Sequence, residues 1–236
     1  MAGIAEDLCP VSDRVRGMGL NRPVAATTAI AILIGGLTAC SSFDNRPRML
    51  TFGHSYVTGF GASSPDKSWA NVSASGDCRH LEMKGVSAAL AADTAKVVLK
   101  FKVEPTDIAV IETGLNDVRM SGASPDAVLR YGQDLTSMLE HLKSIPVVLV
   151  VEPGIAAAGW PKYAPFDKGT PAALATYDTK LAEVAAKFPN ASVVDVRSTW
   201  SAGDTAVDMI HPNDAGHAVI ASAVEAELAR RSLSRC

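Results

Sequence analysis

The chain has 236 residues, 47% of them hydrophobic and 20% charged, with a formal net charge of -3. That balance belongs to a globular protein with enough apolar material for a full core, and it excludes the disordered and fibrous classes. Nucleic acid is excluded as a partner as well, because a mildly acidic chain without a basic run offers no face for phosphates.

In chain order, the first element is an export signal. Val24 to Ala39 reads VAATTAIAILIGGLTA, without a charge, preceded by Arg22 and ended by Cys40. A membrane span needs about 20 apolar residues, so the stretch is short for one. A charged flank, an apolar run and small residues at a cleavage point instead describe a signal peptide. Glu6, Asp7 and Asp13 are foreign to the start of such a signal, which makes Met18 the expected true start. Leu37-Thr38-Ala39-Cys40 resembles the bacterial lipobox. That resemblance implies a Cys40 diacylated on sulfur and a protein held on a membrane outside the cytoplasm. The alternative is an ordinary signal with an incidental Cys and a secreted product. The expected organisation is residues 1–39 as signal, 40–47 as a polar tether and 48–236 as one domain, a monomer.

Within that domain, apolar strands are expected at Met49–Phe52, Leu81–Lys84, Asp107–Glu112, Pro146–Val151 and Ser192–Val196. Helical patterns fall at Lys67–Ser73, Ala88–Phe101, Pro125–Ser144, Pro171–Lys187 and Asn213–Ser232. Short apolar strands separated by helices argue for a parallel sheet covered on both faces, a three-layer α/β/α fold. Ligands of such folds sit at the carboxyl ends of the strands.

Three segments that carry chemistry fall at those ends. Gly53-His54-Ser55 follows the first strand and offers a hydroxyl nucleophile on a tight turn. Gly114-Leu115-Asn116-Asp117 follows the third and offers a fixed amide donor. Asp208-Met209-Ile210-His211 precedes the last helix and offers an imidazole oriented by a carboxylate. The alternative for the last pair is a helix N-cap. Of the other histidines, His80 and His141 are expected to face solvent and His217 to pack on the helix. Gly59–Ser64 superficially matches a dinucleotide-binding glycine loop, but its third Gly is missing and it lies too far from the strand.

With their extensions Gly-His-Ser-Tyr-Val-Thr-Gly and His-Pro-Asn-Asp-Ala-Gly-His, these blocks resemble the SGNH hydrolase family, also called GDSL esterases and lipases. The resemblance runs from Phe52 through Ala221. It implies a five-stranded parallel, flavodoxin-like sheet and a serine esterase that needs no cofactor and no metal. Ser55 would be the nucleophile, His211 the base and Asp208 its orienting carboxylate. The oxyanion hole would consist of the Ser55 N–H, the Asn116 side chain and the Ala88 N–H, with Gly85 as a second alignment for the last. Implied substrates are small-molecule, lipid or glycan esters. The alternatives are an acyltransferase to a glycan hydroxyl using the same residues, and an inactive surface binding protein. One departure stands out: the family usually has Asp where this chain has His54, and that Asp is thought to steady the turn. Trp160 and Tyr163, in the Pro153–Pro171 loop, are candidate substrate contacts or loop anchors, and Trp200 is expected under the catalytic loop.

Cysteine use completes the picture. Cys9 falls in the removed part, which leaves Cys78 and Cys236 beside the lipidation candidate. Export permits a disulfide between them. Cys78 precedes the second strand, and the last helix runs back to that same edge of the sheet. The two Cα atoms can therefore come within the usual separation of about 4.4–6.8 Å. Two unpaired thiols are the alternative. No Cys/His cluster has metal-ligand spacing.

Overall fold

A computed structural model describes residues 46–236. The signal segment, Met18, Cys9 and Cys40 lie outside the described residues. Those residues form one sheet of five parallel strands: β1 (Arg48–Gly53), β2 (His80–Gly85), β3 (Ile108–Glu112), β4 (Val147–Val151) and β5 (Ala191–Asp195). The strand order is β2-β1-β3-β4-β5. Six helices accompany it: α1 (Trp69–Gly76), α2 (Ala91–Val98), α3 (Leu115–Ser121), α4 (Pro125–His141), α5 (Pro171–Ala185) and α6 (Asp214–Arg230).

Burial follows from this order. Every residue of β3 and β4 is buried, as unbroken apolar runs require when both faces of a parallel strand are covered. β2 lies at an edge and is only half-buried; it alternates His80, Glu82 and Lys84 along one face, charges that discourage pairing with another chain. α1 and α6 pack together as one outer layer, while α2, α4 and α5 form the other. α4 buries Ala127, Tyr131, Leu135, Met138 and Leu139, a three-to-four spacing that lays one stripe on the sheet. Its start is set by Ser124, whose side chain accepts from the Ala127 N–H, and by Pro125 in the first turn.

Several expected boundaries move, each for a local reason. The helix expected from Ala88 begins at Ala91, because Ala88 takes a left-handed φ of 63° and cannot open it. β3 begins one residue after Asp107, whose carboxylate instead accepts from the Arg48 guanidinium and the Glu104 N–H. α6 begins at Asp214, with Asn213 as its N-cap, so His211 stands in the preceding loop rather than at the helix head. α3 was not expected: seven residues between two glycines are too few to show a helical period. His141 is half-buried against the Phe101 carbonyl rather than solvent-facing, and the His80 side chain is 40% exposed.

At the amino edge of the sheet, Cys78 and Cys236 are joined in a disulfide with a Cα separation of 5.9 Å. The buried Arg79 holds the same tail: it pairs with Asp77 and donates to the Leu233 carbonyl. Among the described residues no helix is long and apolar enough to cross a membrane.

Candidate active site

β1 is joined to β2 on one side and to β3 on the other, so the chain winds outward in opposite directions from the β1/β3 pair. That divergence opens a crevice at the carboxyl ends of the two strands, where ligands of such sheets bind. Gly53 ends β1 in register with Glu112, the last residue of β3. Its φ is 146°, and a Cβ there would lie 1.9 Å from the Glu112 carbonyl oxygen, so no other residue fits. The chain then turns sharply, with the Phe60 N–H and the Thr58 hydroxyl both donating to the Ser55 carbonyl. Ser55 is 8% exposed.

His211 arrives from a separate loop, closed by an antiparallel bridge between Thr205 and Pro212 and by Ala206 N–H donating to the His211 carbonyl. Within it, one Asp208 oxygen accepts from the Ile210 and His211 N–H groups, both at 3.0 Å. Its other oxygen lies 2.5 Å from His211 Nδ1. His211 Nε2 in turn lies 2.8 Å from Ser55 Oγ. Asp208 therefore serves the imidazole and its own loop, while the capping alternative falls to Asn213, which accepts from Ala215 and Gly216. Phe60, 55% exposed, covers the outer side of the ring with centroids 4.3 Å apart.

The electrostatics suit a base. Burial pushes the His211 imidazole below its ordinary value, and the hydrogen bond and charge of Asp208 offset this only in part. Burial also pushes the Asp208 carboxyl up, yet the Ile210 N–H, the imidazole and the His211 N–H outweigh it and leave the acid below its usual value. The pair thus rests as carboxylate and neutral imidazole near neutrality.

The expected donors lie just beyond the ends of the neighbouring strands β3 and β2. Asn116, 7% exposed in the first turn of α3, spends one amide hydrogen on the Ala89 carbonyl at 3.1 Å and keeps the second. Asp117 accepts from the Ala91 N–H at 2.9 Å, so the start of α3 holds the segment before α2 in place. In that segment Ala88 is exposed. Among the described residues neither its N–H nor that of Ser55 is spent on a protein acceptor. Gly85, the other alignment, ends β2 and pairs with Gly53 inside the sheet.

The two aromatic candidates separate. Trp160 is buried in the core, its ring against Gly169, while Tyr163 is 60% exposed. Trp200 is half-buried with its ring against Gly216, at the start of α6. His217 is fully buried, accepting from the Trp69 N–H at Nδ1 and lying 3.3 Å from the Phe60 carbonyl at Nε2. Among the described residues no group of His, Cys, Asp and Glu could hold a metal ion.

Sequence reasoning missed the buried polar groups beneath this rim. His54 lies 2.6 Å from Glu152, Tyr56 donates to the Ile210 carbonyl, and Trp69 donates to Glu112 at 2.8 Å. Arg119, 5% exposed, donates to the Lys162 carbonyl at 2.8 Å. A signal for two of them did exist: Glu112 and Glu152 each follow an unbroken apolar run, and an acid there must be buried at the carboxyl end of a central strand.

Residues 51–219 match the model of the GDSL-like Lipase/Acylhydrolase family. No curated protein gives a significant sequence match. Among solved structures, the chain is similar to Est24, a carbohydrate acetylesterase from Sinorhizobium meliloti, at 16% identity and a TM-score of 0.66, covering 79% of this chain and 100% of that one. The M. smegmatis aryl esterase is 21% identical with a TM-score of 0.62, over 79% and 99% of the two chains. The salicylyl-acyltransferase SsfX3, from a tetracycline biosynthetic pathway, is 20% identical with a TM-score of 0.61; 80% of this chain is covered but only 56% of SsfX3.

Proposed function

Because the chain belongs to the GDSL-like lipase/acylhydrolase family and is thereby an ester-hydrolysing enzyme, we propose that it is a serine esterase in which Ser55, His211 and Asp208 form the triad and the Ser55 N–H, the Ala88 N–H and Asn116 the oxyanion hole. The observation that carries this reading is the continuous path from the Asp208 carboxylate through His211 to the Ser55 hydroxyl, with both contacts at hydrogen-bond length.

In this mechanism His211 Nε2 takes the Ser55 proton as Oγ attacks the ester carbonyl, and Asp208 stabilises the imidazolium. The developing oxyanion is held by the three donors. The tetrahedral intermediate collapses by breaking the bond to the alcohol oxygen, which receives the proton from His211. Water, deprotonated by His211, then cleaves the acyl-enzyme and restores Ser55. Acyl transfer to a glycan hydroxyl would use the same residues with a different acceptor. Replacing Ser55 with Ala should abolish both p-nitrophenyl acetate turnover and labelling by a fluorophosphonate; a variant that keeps the wild-type rate would overturn the assignment. Comparing product formation in water with that in the presence of a sugar acceptor separates hydrolysis from transfer.

The substrates of this reading are acyl or acetyl esters of small molecules, lipids or glycans, and its site of action is outside the cytoplasm, with Cys40 as the lipid anchor. The apolar run before Cys40 and the Cys78–Cys236 disulfide support export. Cys40→Ala should move the protein from the membrane fraction to the soluble one; an unchanged distribution would remove the anchor.

A further inference from the structure

His54 is fully buried, and it directly precedes Ser55 in the turn after β1. Its Nε2 lies 2.6 Å from Glu152 Oε1, and its Nδ1 faces the Tyr56 N–H at 3.3 Å. Those partners select one tautomer: Nε2–H donates to the carboxylate, and Nδ1 accepts from the backbone. Glu152 is 2% exposed, just beyond β4, and its second oxygen has no partner among the described residues. Among the described residues the imidazole is therefore the one donor to the Glu152 carboxylate. Leaving such a group unpaired forfeits the hydrogen bond that offsets its desolvation.

The same imidazole also reaches the loop of the catalytic base. The Tyr56 ring stands edge-on to His54 with centroids 4.9 Å apart, and its hydroxyl donates to the Ile210 carbonyl, next to His211. Ser55 thus sits between two residues that fix the floor of the site, one tied to β4 and the other to the His211 loop. The titratable groups facing this position are Glu152 after β4, Glu112 at the end of β3, Asp117 in α3, Tyr56 on the turn and His211. Burial and the nearby Glu152 push the Glu112 carboxyl well above its ordinary value. An Asp at position 54 would add a further carboxyl to this dry place and leave Glu152 without its donor.

We propose that His54 and Glu152 form an interdependent positioning pair that holds the Ser55 turn against His211, with the acid moved from the turn to the end of β4. The pair touches no substrate and acts through Ser55. It explains the departure at position 54: the chain has not lost a turn carboxylate but exchanged its place. This inference rests on Ser55 being the nucleophile.

The test uses the mature chain with p-nitrophenyl acetate and a fluorophosphonate probe. His54→Glu, which sets two acids against each other, should lower kcat by about 10²-fold, the cost of a reacting group misplaced by about 1 Å, with little change in KM. The exchanged pair His54→Glu with Glu152→His should recover most of that loss. A single variant that keeps the wild-type kcat, or an exchange no better than the single variant, overturns the pair. If His54→Glu does not fold, His54→Gln and His54→Leu carry the test. Gln keeps an N–H for Glu152 and should hold kcat at least tenfold above Leu, with both variants folded by circular dichroism; equal kcat values overturn the proposal. Failure of the probe to label the wild type would instead sink the nucleophile assignment on which the pair depends.

Discussion

Ser55 and His211 are 156 positions apart in sequence, yet the Ser55 Oγ and His211 Nε2 atoms lie 2.8 Å from each other. Neither residue belongs to a strand or helix. Each is set by its own closed turn, and the sheet supplies only the crevice where the turns meet.

The pH dependence follows from burial of the base. Because the His211 imidazole is pushed below its ordinary 6.5, the rising limb of kcat/KM should lie on the acid side of that value. Asp208 pulls the imidazole upward, so Asp208→Asn should move the limb further toward acid while lowering kcat by about 10⁴-fold. A limb that moves toward alkali in the variant would show that Asp208 does not face the titrating imidazole.

Asn116 keeps one amide hydrogen for the rim. Asn116→Ala should reduce kcat by about 10²–10³ and leave KM for a short ester nearly unchanged. Should KM rise while kcat holds, the residue binds ground-state substrate instead of the oxyanion.

Ala88 sits at φ 63°, where a side chain costs about 1–2 kcal/mol. Gly would relieve that strain but loses about 0.5–1 kcal/mol through the freedom of its unfolded state. Ala88→Gly should therefore be neutral to slightly stabilising in denaturant titrations, with catalysis retained. Clear destabilisation would mean that the methyl group makes packing contacts that outweigh the strain.

Asp117 gives the fold its own response to pH. Burial raises its carboxyl from the ordinary 3.8 to about 7, against the pull of the Ala91 N–H. Between those values the folded state holds a proton that the unfolded state releases. The contribution is therefore complete below about pH 4 and is lost as pH rises through 7. Asp117→Asn cannot ionise, so its unfolding midpoint relative to wild type should improve between pH 5 and pH 8. A gap that stays constant over that range would disprove the raised carboxyl.

How much of this was legible in the sequence varied with distance along the chain. The central strands were readable because burial on both faces leaves runs such as Val147–Val151 with no polar residue, and only their ends slipped. The blocks around Ser55, Asn116 and His211 were readable because each part of the site is built by a local turn. Asp208 and His211 meet across three residues, and Gly53 announces its own turn. The short helix α3 escaped notice, since seven residues hold less than two helical turns of pattern. Glu152 could be read as a buried acid after an apolar run, but its pairing could not: it lies 98 positions from His54, and nothing in either neighbourhood points to the other. The sequence marked position 54 as unusual without marking what compensates it.

Strand polarity also decides what each chain end can be used for. β1 enters the sheet at Arg48 on the side away from Ser55, and Cys236 is clamped to Cys78 just ahead of β2, on that same side. Both exits of the folded part therefore leave from its floor. A surface, bead or fused partner joined at Arg48 or at Cys236 would therefore lie on the side of the sheet opposite Ser55.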